Sequence, residues 1–255
     1  MTWSVGAGLE DRGVIVTGAA GGMGKPVAEA FATTGARVMA VDLHQAAADE
    51  VVDGLEGSGH VAVGADLSDL DAHQELVDRA RLELGGVYVL AHLAAVLQRR
   101  DSMDEVTEQD WDFQVDTNLK ATFFLCRTAA NAMRSAGEGG RIIAFTSQGW
   151  WTGGFGGSVV YCASKGGIVS MVRGMARTYG SDQITVNAVS PGQINTPMLM
   201  TDLDPEVLEQ LTVATPLGRV AEPEEMAGTV VFLASQHASF ISGATINVSG
   251  AMLMY

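Results

Sequence analysis

A glycine-rich segment near the start of the chain, Thr17-Gly18-Ala19-Ala20-Gly21-Gly22-Met23-Gly24, constrains the fold more than any other feature. The apolar run 13–16 before it has the β-branched content of a buried parallel strand. Residues 27–32 after it have the pattern of a helix, with Pro26 in the first turn. This order brings backbone N–H groups close to the phosphates of a ligand. The segment therefore predicts a dinucleotide site whose contacts include Gly18, Gly22, Met23 and Gly24.

A carboxylate after the second apolar run indicates which dinucleotide is bound. Residues 36–41 predict a buried strand that ends at Asp42. A carboxylate there, roughly 20 residues past the glycines, accepts hydrogen bonds from the adenosine ribose and repels the 2′-phosphate of NADP. Leu43 follows, where an arginine could have paired with that phosphate. We therefore expect NAD as the cofactor, in contact with Asp42 and Leu43.

Tyr161 and Lys165 are spaced so that they share one face of a helix. An ammonium group beside the phenol favours the phenolate, so we expect the pKa of Tyr161 to fall below its ordinary value of about 10. Such a phenol can take a proton from a substrate hydroxyl or give one to a carbonyl. The hydroxyl of Ser147 and the glycine turn upstream make this chemical interpretation stronger than the spacing alone.

Strand and helix patterns alternate along the whole chain. Strands are expected near 13–17, 36–41, 60–64, 87–92, 140–146, 183–189 and 244–248, and helices near 22–34, 44–56, 69–84, 107–136, 159–180, 204–213 and 223–235. This alternation predicts a single α/β domain over residues 1–255, a doubly wound, Rossmann-like parallel sheet with helices on both faces. The candidate residues Gly18, Asp42, Asp66, Ala94, Ser147 and Pro191 all fall at strand ends, which predicts one shared cleft.

These motifs resemble those of the short-chain dehydrogenase/reductase family, from about residue 9 onward. Its TGxxxGxG motif is met by Thr17–Gly24 and its YxxxK motif by Tyr161 and Lys165. Segment 142–147 is similar to the strand that carries the family's catalytic serine, and segment 116–120 to the helix that carries its asparagine. Segment 187–197 is similar to the family's nicotinamide-side PGxxxTP segment, and 66–67 to its adenine-contacting pair.

The resemblance implies a catalytic set and further cofactor contacts. Ser147 would stabilise the substrate oxygen, Tyr161 would transfer the proton, Lys165 would assist Tyr161, and Asn118 would anchor a water near Lys165. The implied cofactor contacts beyond the glycine turn and Asp42 are Asp66, Leu67, Ala94, Tyr161, Lys165, Pro191, Gly192, Ile194 and Thr196.

The sequence departs from the family pattern in two places. His92-Leu93-Ala94-Ala95 replaces the usual Asn-Asn-Ala-Gly, and we expect His92 to be a hydrogen-bonded core residue. Ser147 and Tyr161 lie fourteen positions apart where thirteen are expected, so segment 150–157 carries one extra residue.

The residues expected to face the substrate are mostly apolar or aromatic: Gln148, Trp150, Trp151, Phe155, Gln193, Met198, Leu199 and Met200. They favour a cyclic, aryl or terpenoid-like secondary alcohol over a free sugar. The alternative is that the two tryptophans only pack the loop or a subunit contact. Arg99 and Arg100 could meet a carboxylate, but we expect a solvated loop pair.

Composition excludes several classes of function. The net charge of −15 disfavours nucleic acid as a partner. No apolar stretch approaches the ~18 residues of a membrane span, and no secretion signal is recognisable, which favours a cytoplasmic protein. Cys126 and Cys162 fall in predicted helices, so neither a disulfide nor a metal site is expected, and Cys162 is interpreted as a packing residue.

The sequence thus predicts an NAD-dependent oxidoreductase that interconverts a secondary alcohol and a ketone. Two alternatives stay open: an NADPH-dependent 3-ketoacyl reductase of the same family, and a non-catalytic, dinucleotide-sensing regulator. The resemblance also implies a homotetramer. Its interfaces would use Phe123, Phe124 and Leu125 and the apolar segment 251–255.

Overall fold

Seven parallel strands form one sheet in the computed structural model, which describes residues 8–154, 156–201 and 203–255. Their order across the sheet is β3-β2-β1-β4-β5-β6-β7. The strands are β1 (Gly13–Thr17), β2 (Arg37–Asp42), β3 (Val61–Gly64), β4 (Val89–His92), β5 (Gly140–Phe145), β6 (Ile184–Pro191) and β7 (Thr245–Val248). The doubly wound, Rossmann-like fold expected from the alternating pattern is confirmed.

Ten α-helices connect these strands within the described residues. They are α1 (Gly24–Thr33), α2 (Gln45–Asp53), α3 (Ala72–Glu83), α4 (Glu108–Val115), α5 (Ala121–Ala136), α6 (Gly149–Thr152), α7 (Val159–Tyr179), α8 (Pro197–Met200), α9 (Pro205–Ala214) and α10 (Glu224–Ala234). The single helix expected over 107–136 is interrupted, because a π-helical turn (Asp116–Lys120) separates α4 from α5. The one-turn helices α6 and α8 were not predicted.

The sheet reverses its winding between β1 and β4, which pair side by side with Thr17 opposite His92. From β1 the chain proceeds outward to β2 and β3, and it then returns to β4 on the other side of β1. In sheets of this kind the crevice at the reversal, beyond the carboxyl ends of the strands, is where ligands bind.

Two apolar layers cover the two faces of the sheet. Alternation along β1 sends Val14 and Val16 into the layer that contains Phe31 of α1, while Ile15 points into the opposite layer. The second layer is closed by α3, α5 and α7 and contains Leu125. Each fully buried side chain of this size contributes roughly 1.5–3 kcal/mol through removal of its surface from water.

Leu125 therefore corrects the expectation that it would lie on an exposed face. It is fully buried, because it points from α5 into the core, whereas Phe123 on the same helix is 41% exposed. Phe124 is partly buried and packs edge-on against Phe123, with ring centroids 5.2 Å apart. Only part of the expected subunit surface on α5 is thus available.

Both cysteines lie in helices, Cys126 on α5 and Cys162 on α7. Cys126 and Cys162 are both free and buried. Across the described ranges no helix is long and apolar enough to span a membrane. The same residues contain no cluster of His, Cys, Asp or Glu that could hold a metal ion.

Candidate active site

The glycine turn between β1 and α1 is packed too closely for larger residues. A Cβ atom at Gly24 would lie 1.9 Å from the carbonyl oxygen of Gly18, and one at Gly22 would lie 2.7 Å from Thr196 Cβ. Gly18 itself has a φ of +64°, in the left-handed region that glycine favours. Thr196 thus brings the segment after β6 against the turn. The backbone lies open to a ligand at the start of α1.

Asp42 is held at the end of β2 by two backbone donors. Its Oδ2 atom accepts from the N–H of Ala20 at 2.9 Å, and its Oδ1 atom accepts from the N–H of Leu43 at 2.8 Å. Each carboxylate oxygen can accept a further hydrogen bond. The carboxylate is therefore fixed beside the glycine turn, where it can accept bonds from ribose hydroxyls.

A cavity of about 1100 Å³ runs along this edge of the sheet. Ten of the predicted cofactor contacts line it: Gly18, Gly22, Met23, Gly24, Asp42, Leu43, Asp66, Leu67, Ala94 and Thr196. The other five, Tyr161, Lys165, Pro191, Gly192 and Ile194, do not. The volume, the glycine cradle and the fixed carboxylate fit the adenosine and pyrophosphate parts of a dinucleotide.

The proposed catalytic side chains meet where β5 ends against α7. Lys165 is buried, and its Nζ atom donates to the carbonyl oxygen of Phe145 at 2.9 Å. In return, Thr146 Oγ1 donates to the carbonyl oxygen of Lys165 at 2.7 Å. The side chain of Ser147 hydrogen-bonds with Tyr161. These bonds fix α7 against the end of β5. As a result, Ser147, Tyr161 and Lys165 lie close together.

Asn118 lies in the π-helical turn and binds the segment that follows β4. Its Oδ1 atom accepts from the N–H of Val96 at 2.8 Å, and its Nδ2 atom donates to the carbonyl oxygen of Val96 at 2.8 Å. Nδ2 also lies 3.3 Å from Ser164 Oγ on α7. The side chain therefore connects the cavity wall to the helix that carries Tyr161, and π turns of this kind are frequent at functional sites.

Burial reverses the expected shift of the Tyr161 pKa. Its removal from water raises the pKa of Tyr161 to about 12, against the lowering effects of the Ser147 hydrogen bond and the Arg99 charge. Lys165 does not compensate, because its own burial lowers its pKa to about 7. Its Nζ atom lies 5.6 Å from the centroid of the Tyr161 ring. The expectation that Lys165 alone would favour the phenolate is wrong for this arrangement.

An aromatic group forms at α6, which lies beside α7, since a Cβ atom at Gly149 would lie 2.6 Å from Cys162 Sγ. Trp150 and Trp151 lie on α6, with ring centroids 5.3 Å apart, and Tyr255 packs on Trp150 at 4.8 Å. Buried Oε1 of Gln148 and Nε1 of Trp150 have no hydrogen-bond partner among the described residues. Two polar atoms are therefore left next to an aromatic wall.

The remaining substrate candidates are more scattered. Gln193 lies 4.0 Å, measured from Nε2, from Met252 Sδ. Met198 is 43% exposed on α8, which also carries Leu199 and Met200. Phe155 lies outside the described residues.

Comparison with known proteins agrees with this geometry. Residues 18–252 match the family model described as enoyl-(acyl carrier protein) reductase. The chain is 34% identical to the (2S)-[(R)-hydroxy(phenyl)methyl]succinyl-CoA dehydrogenase subunit BbsD of Thauera aromatica, over 97% of this chain and 99% of the relative. It is 34% identical to cis-4-hydroxycyclohexanecarboxylate dehydrogenase of Sinomonas cyclohexanicum, over 96% and 98%.

A solved structure of a glucose/ribitol-type short-chain dehydrogenase/reductase from Brucella melitensis superposes with a TM-score of 0.89. Sequence identity to it is 32%, with 97% of this chain and 98% of that chain covered. The chain belongs to the short-chain dehydrogenase/reductase family. The names of these relatives describe dehydrogenases or reductases, and the chain is an oxidoreductase.

His92, the main departure from the pattern of the short-chain dehydrogenase/reductase family, is a buried core residue as expected. Its Nδ1 atom lies 2.7 Å from Thr17 Oγ1, and its Nε2 atom lies 2.9 Å from Thr122 Oγ1. Thr122 Oγ1 donates to the carbonyl oxygen of Asn118 at 2.6 Å. Burial, with the positive charge of Lys165, lowers the pKa of His92 to about 3, so the ring is neutral. The histidine therefore connects β1 to the π turn.

Sequence reasoning missed one wall of the cavity and one member of the aromatic group. The cavity is also lined by the exposed ring of Phe113 and by Glu108 and Asp112, all on α4. Tyr255 joins the aromatic group although it is 104 positions from Trp151 in sequence. Neither contact could be recognised from the local sequence, because each forms only when distant segments of the chain pack together.

Proposed function

We propose that the protein oxidises secondary alcohols to ketones with NAD and catalyses the reverse reduction. The observation that carries the proposal is the grouping of Ser147, Tyr161 and Lys165 at the end of β5, beside a cavity that contains the Asp42 carboxylate. A serine, a tyrosine and a lysine together can hold a substrate oxygen and move its proton.

In the proposed reduction the Tyr161 hydroxyl gives its proton to the ketone oxygen as the C–H bond forms. The oxidation is the reverse of this step, in which a Tyr161 phenolate takes the hydroxyl proton of the alcohol as the carbonyl bond forms. Bound NAD would supply the acceptor for the hydride that leaves the carbinol carbon. Ser147 would donate a hydrogen bond to the substrate oxygen. Lys165, held by the carbonyl oxygen of Phe145, would keep its amine close to Tyr161. Asn118 would hold the π turn against the segment after β4.

The choice of NAD rests on Asp42. The carboxylate is oriented by the N–H groups of Ala20 and Leu43, and Asp42 lines the cavity. A negative charge there accepts bonds from a ribose diol and repels a 2′-phosphate. The NADPH-dependent 3-ketoacyl reductase is the second candidate, and the Asp42 charge is the observation against it.

The substrate class follows from the aromatic wall formed by Trp150, Trp151 and Tyr255. Such rings bind the apolar body of a cyclic or aryl alcohol through large, well-defined contact areas. The relatives from Thauera aromatica and Sinomonas cyclohexanicum carry names with phenyl and cyclohexane rings, which supports the same class.

The assembly that we propose is a homotetramer. Trp111 and Phe113 on α4 are 50% and 49% exposed, and Phe123 on α5 is 41% exposed. Met254 is 79% exposed at the other candidate surface. Apolar patches of this kind support subunit contacts. Sedimentation at micromolar concentration tests this, and a monomer would contradict it.

The test of the proposed activity is a panel of cyclic and aryl secondary alcohols supplied with NAD or with NADP. We expect absorbance of the reduced cofactor to rise with NAD and cyclic or aryl alcohols, and kcat/KM to be higher with NAD than with NADP. Preferential reduction of 3-ketoacyl thioesters with NADPH would favour the second candidate. Dinucleotide binding with no turnover on either panel would favour the sensing regulator.

A further inference from the structure

Arg99 lies beside the substrate side of the cavity, on the segment that leaves β4. Its Nη2 atom donates to the carbonyl oxygen of Met198 on α8 at 3.1 Å. The side chain is exposed, so its other N–H groups face solvent or a bound ligand. A guanidinium group has five N–H donors, and this single bond uses only one of them.

A second recess, of about 530 Å³, surrounds the Arg99 side chain. It is lined by Leu97, Gln98, Arg99, Pro197, Met198 and Thr201. Pro197 and Met198 also line the dinucleotide cavity, so the two spaces adjoin. A molecule in the recess would thus lie against Arg99 on one side and against the shared wall at Pro197 and Met198 on the other.

The neighbouring arginine, Arg100, has a structural role in this segment. Arg100 forms two hydrogen bonds with the Asp110 carboxylate, at 2.9 and 2.7 Å, and this fixes the start of α4. Arg99 has no ion pair with a carboxylate among the described residues. In a chain with 30 acidic and 15 basic residues, a cation without such a partner at a cavity mouth is available for an external anion. The sequence predicted that both arginines are solvated. In the structure Arg100 is bound to Asp110, whereas Arg99 is exposed.

The position of Arg99 relative to Tyr161 indicates a second feature of the substrate, an anionic group in addition to the reacting hydroxyl. The segment that carries Arg99 lies against the residues that precede α7, because the carbonyl oxygen of Arg100 accepts from the N–H of Gly157 at 3.2 Å. Tyr161 follows Gly157 by four positions, and the positive charge of Arg99 acts to lower its pKa against the larger effect of burial. An anionic group bonded to Arg99 would thus belong to the same molecule as the reacting carbinol. One guanidinium with Gln98 as a polar neighbour matches a singly charged carboxylate better than a doubly charged phosphate.

We propose that Arg99 determines specificity by binding a carboxylate of the substrate, which makes the substrate a hydroxy acid with an apolar ring or chain between its two polar groups. This inference rests on the proposed function, because it concerns the alcohol that Tyr161 would oxidise. The carboxylate would accept two N–H bonds from Arg99, and the apolar middle would pack against Met198 and the aromatic residues of α6.

Binding of two matched, unreactive probes tests the inference without turnover. Cyclohexanecarboxylate and the neutral cyclohexanecarboxamide are titrated calorimetrically into the full-length protein saturated with NAD. Charge-assisted bonds to an arginine predict that the wild type binds the carboxylate about tenfold to a hundredfold more tightly than the amide. Arg99→Gln should abolish this preference, and Arg99→Lys should restore only part of it because lysine lacks the planar fork.

Arg81→Gln on α3 is the matched control, since Arg81 is an exposed arginine remote from the cavities. It should keep the full preference for the carboxylate. Equal affinity of the wild type for the two probes, binding of neither, or a preference that survives in Arg99→Gln would overturn the inference.

Turnover of 4-hydroxycyclohexanecarboxylate and its amide with NAD separates this inference from the proposed function. If Arg99 acts as proposed, Arg99→Gln raises KM for the carboxylate about tenfold or more. It should change KM for the amide much less, and any change in kcat should be the same for the two substrates, because the Arg99 charge acts on Tyr161 whichever of them is bound. Oxidation of both alcohols with the same KM in wild type and variant would overturn the role of Arg99 while the alcohol dehydrogenase function stands. Carboxylate-selective binding without oxidation of any alcohol would support carboxylate binding by Arg99 and contradict the proposed alcohol dehydrogenase function.

Discussion

The Nζ atom of Lys165 donates a hydrogen bond to the carbonyl oxygen of Phe145, 2.9 Å away, from a side chain that is only 3% exposed. The bond joins the second turn of α7 to the strand end that precedes Ser147. Burial lowers the pKa of Lys165 from its ordinary 10.5 to about 7. The amine therefore changes its charge near neutral pH, and this has a consequence for stability that can be measured.

Lys165→Met should change how the free energy of unfolding depends on pH. The unfolded chain keeps this lysine protonated up to about pH 10.5, whereas the folded protein releases the proton above about pH 7. Between these values the unfolded state binds more protons, so wild-type stability relative to the variant rises with pH, by up to about 1.4 kcal/mol per pH unit. Urea denaturation of both proteins from pH 6 to 9 measures the difference. A difference that stays constant, or falls, over pH 7–9 would contradict the lowered pKa.

Tyr161→Phe should lower turnover on an accepted alcohol by a factor on the order of 10²–10⁴, the usual contribution of a positioned acid or base. NAD affinity should change little, because the phenylalanine ring keeps the packing on α7. Tyr88→Phe is a suitable control, since Tyr88 precedes β4 and packs under Arg12 away from the site. Steady-state rates and NAD titrations compare the three proteins. Wild-type turnover in a folded Tyr161→Phe variant would contradict the role of Tyr161 in proton transfer.

His92→Asn should make the protein less sensitive to acid. The pKa of His92 is lowered from 6.5 to about 3, so below pH 6.5 the unfolded chain takes up a proton that the folded chain does not. Wild-type stability is therefore lost as the pH falls from 6.5 toward 3, and this part of the loss should disappear in the variant. Thermal denaturation at pH 4, 5, 6 and 7 tests the prediction. Parallel curves for the two proteins would show that His92 is not held neutral.

Much of the fold was predictable because its signals are local. The β1 strand, the glycine turn and α1 follow one another within residues 13–33, and the turn's close packing explains why glycines stand there. The π turn at Asn118 was not predictable, because it coincides with paired hydrogen bonds to Val96, 22 positions away. The shift in the Tyr161 pKa was also predicted wrongly, since i,i+4 spacing reports on the lysine but not on burial.

Gly24→Ala should damage the dinucleotide site. The added Cβ atom would lie 1.9 Å from the Gly18 carbonyl oxygen, so the turn must shift. Forced overpacking of this kind destabilises proteins by roughly 1–3 kcal/mol. We expect a lower unfolding midpoint and at least about tenfold weaker NAD binding, since 1.4 kcal/mol corresponds to a factor of ten.

Gly174→Ala on α7 is the matched control for Gly24→Ala. Apart from the chain neighbours and the backbone of its own helix, no heavy atom of the described residues lies within 4 Å of a Cβ atom placed there. The helix should gain roughly 0.5–1 kcal/mol, because alanine loses less conformational freedom than glycine. Denaturation and calorimetric NAD titration of both variants would separate packing from binding. Unchanged NAD affinity in Gly24→Ala would contradict the role of the turn.

Asp42→Ala should weaken NAD and strengthen NADP. Charge-assisted hydrogen bonds are worth roughly 1.5–3 kcal/mol, so the loss of those to the ribose predicts about tenfold to a hundredfold weaker NAD binding. NADP should bind more tightly because the repulsion of its 2′-phosphate disappears. Asp42→Asn is the matched control: it removes the charge but keeps an oxygen that can accept from Ala20 or Leu43. It should therefore retain more NAD affinity than Asp42→Ala.

Adding Leu43→Arg to Asp42→Ala should strengthen NADP binding further, through pairing of the guanidinium with the 2′-phosphate. Calorimetric titration and kcat/KM with each cofactor measure these changes. A wild type that already prefers NADP in kcat/KM would show that Asp42 has been interpreted wrongly and would favour the reductase candidate.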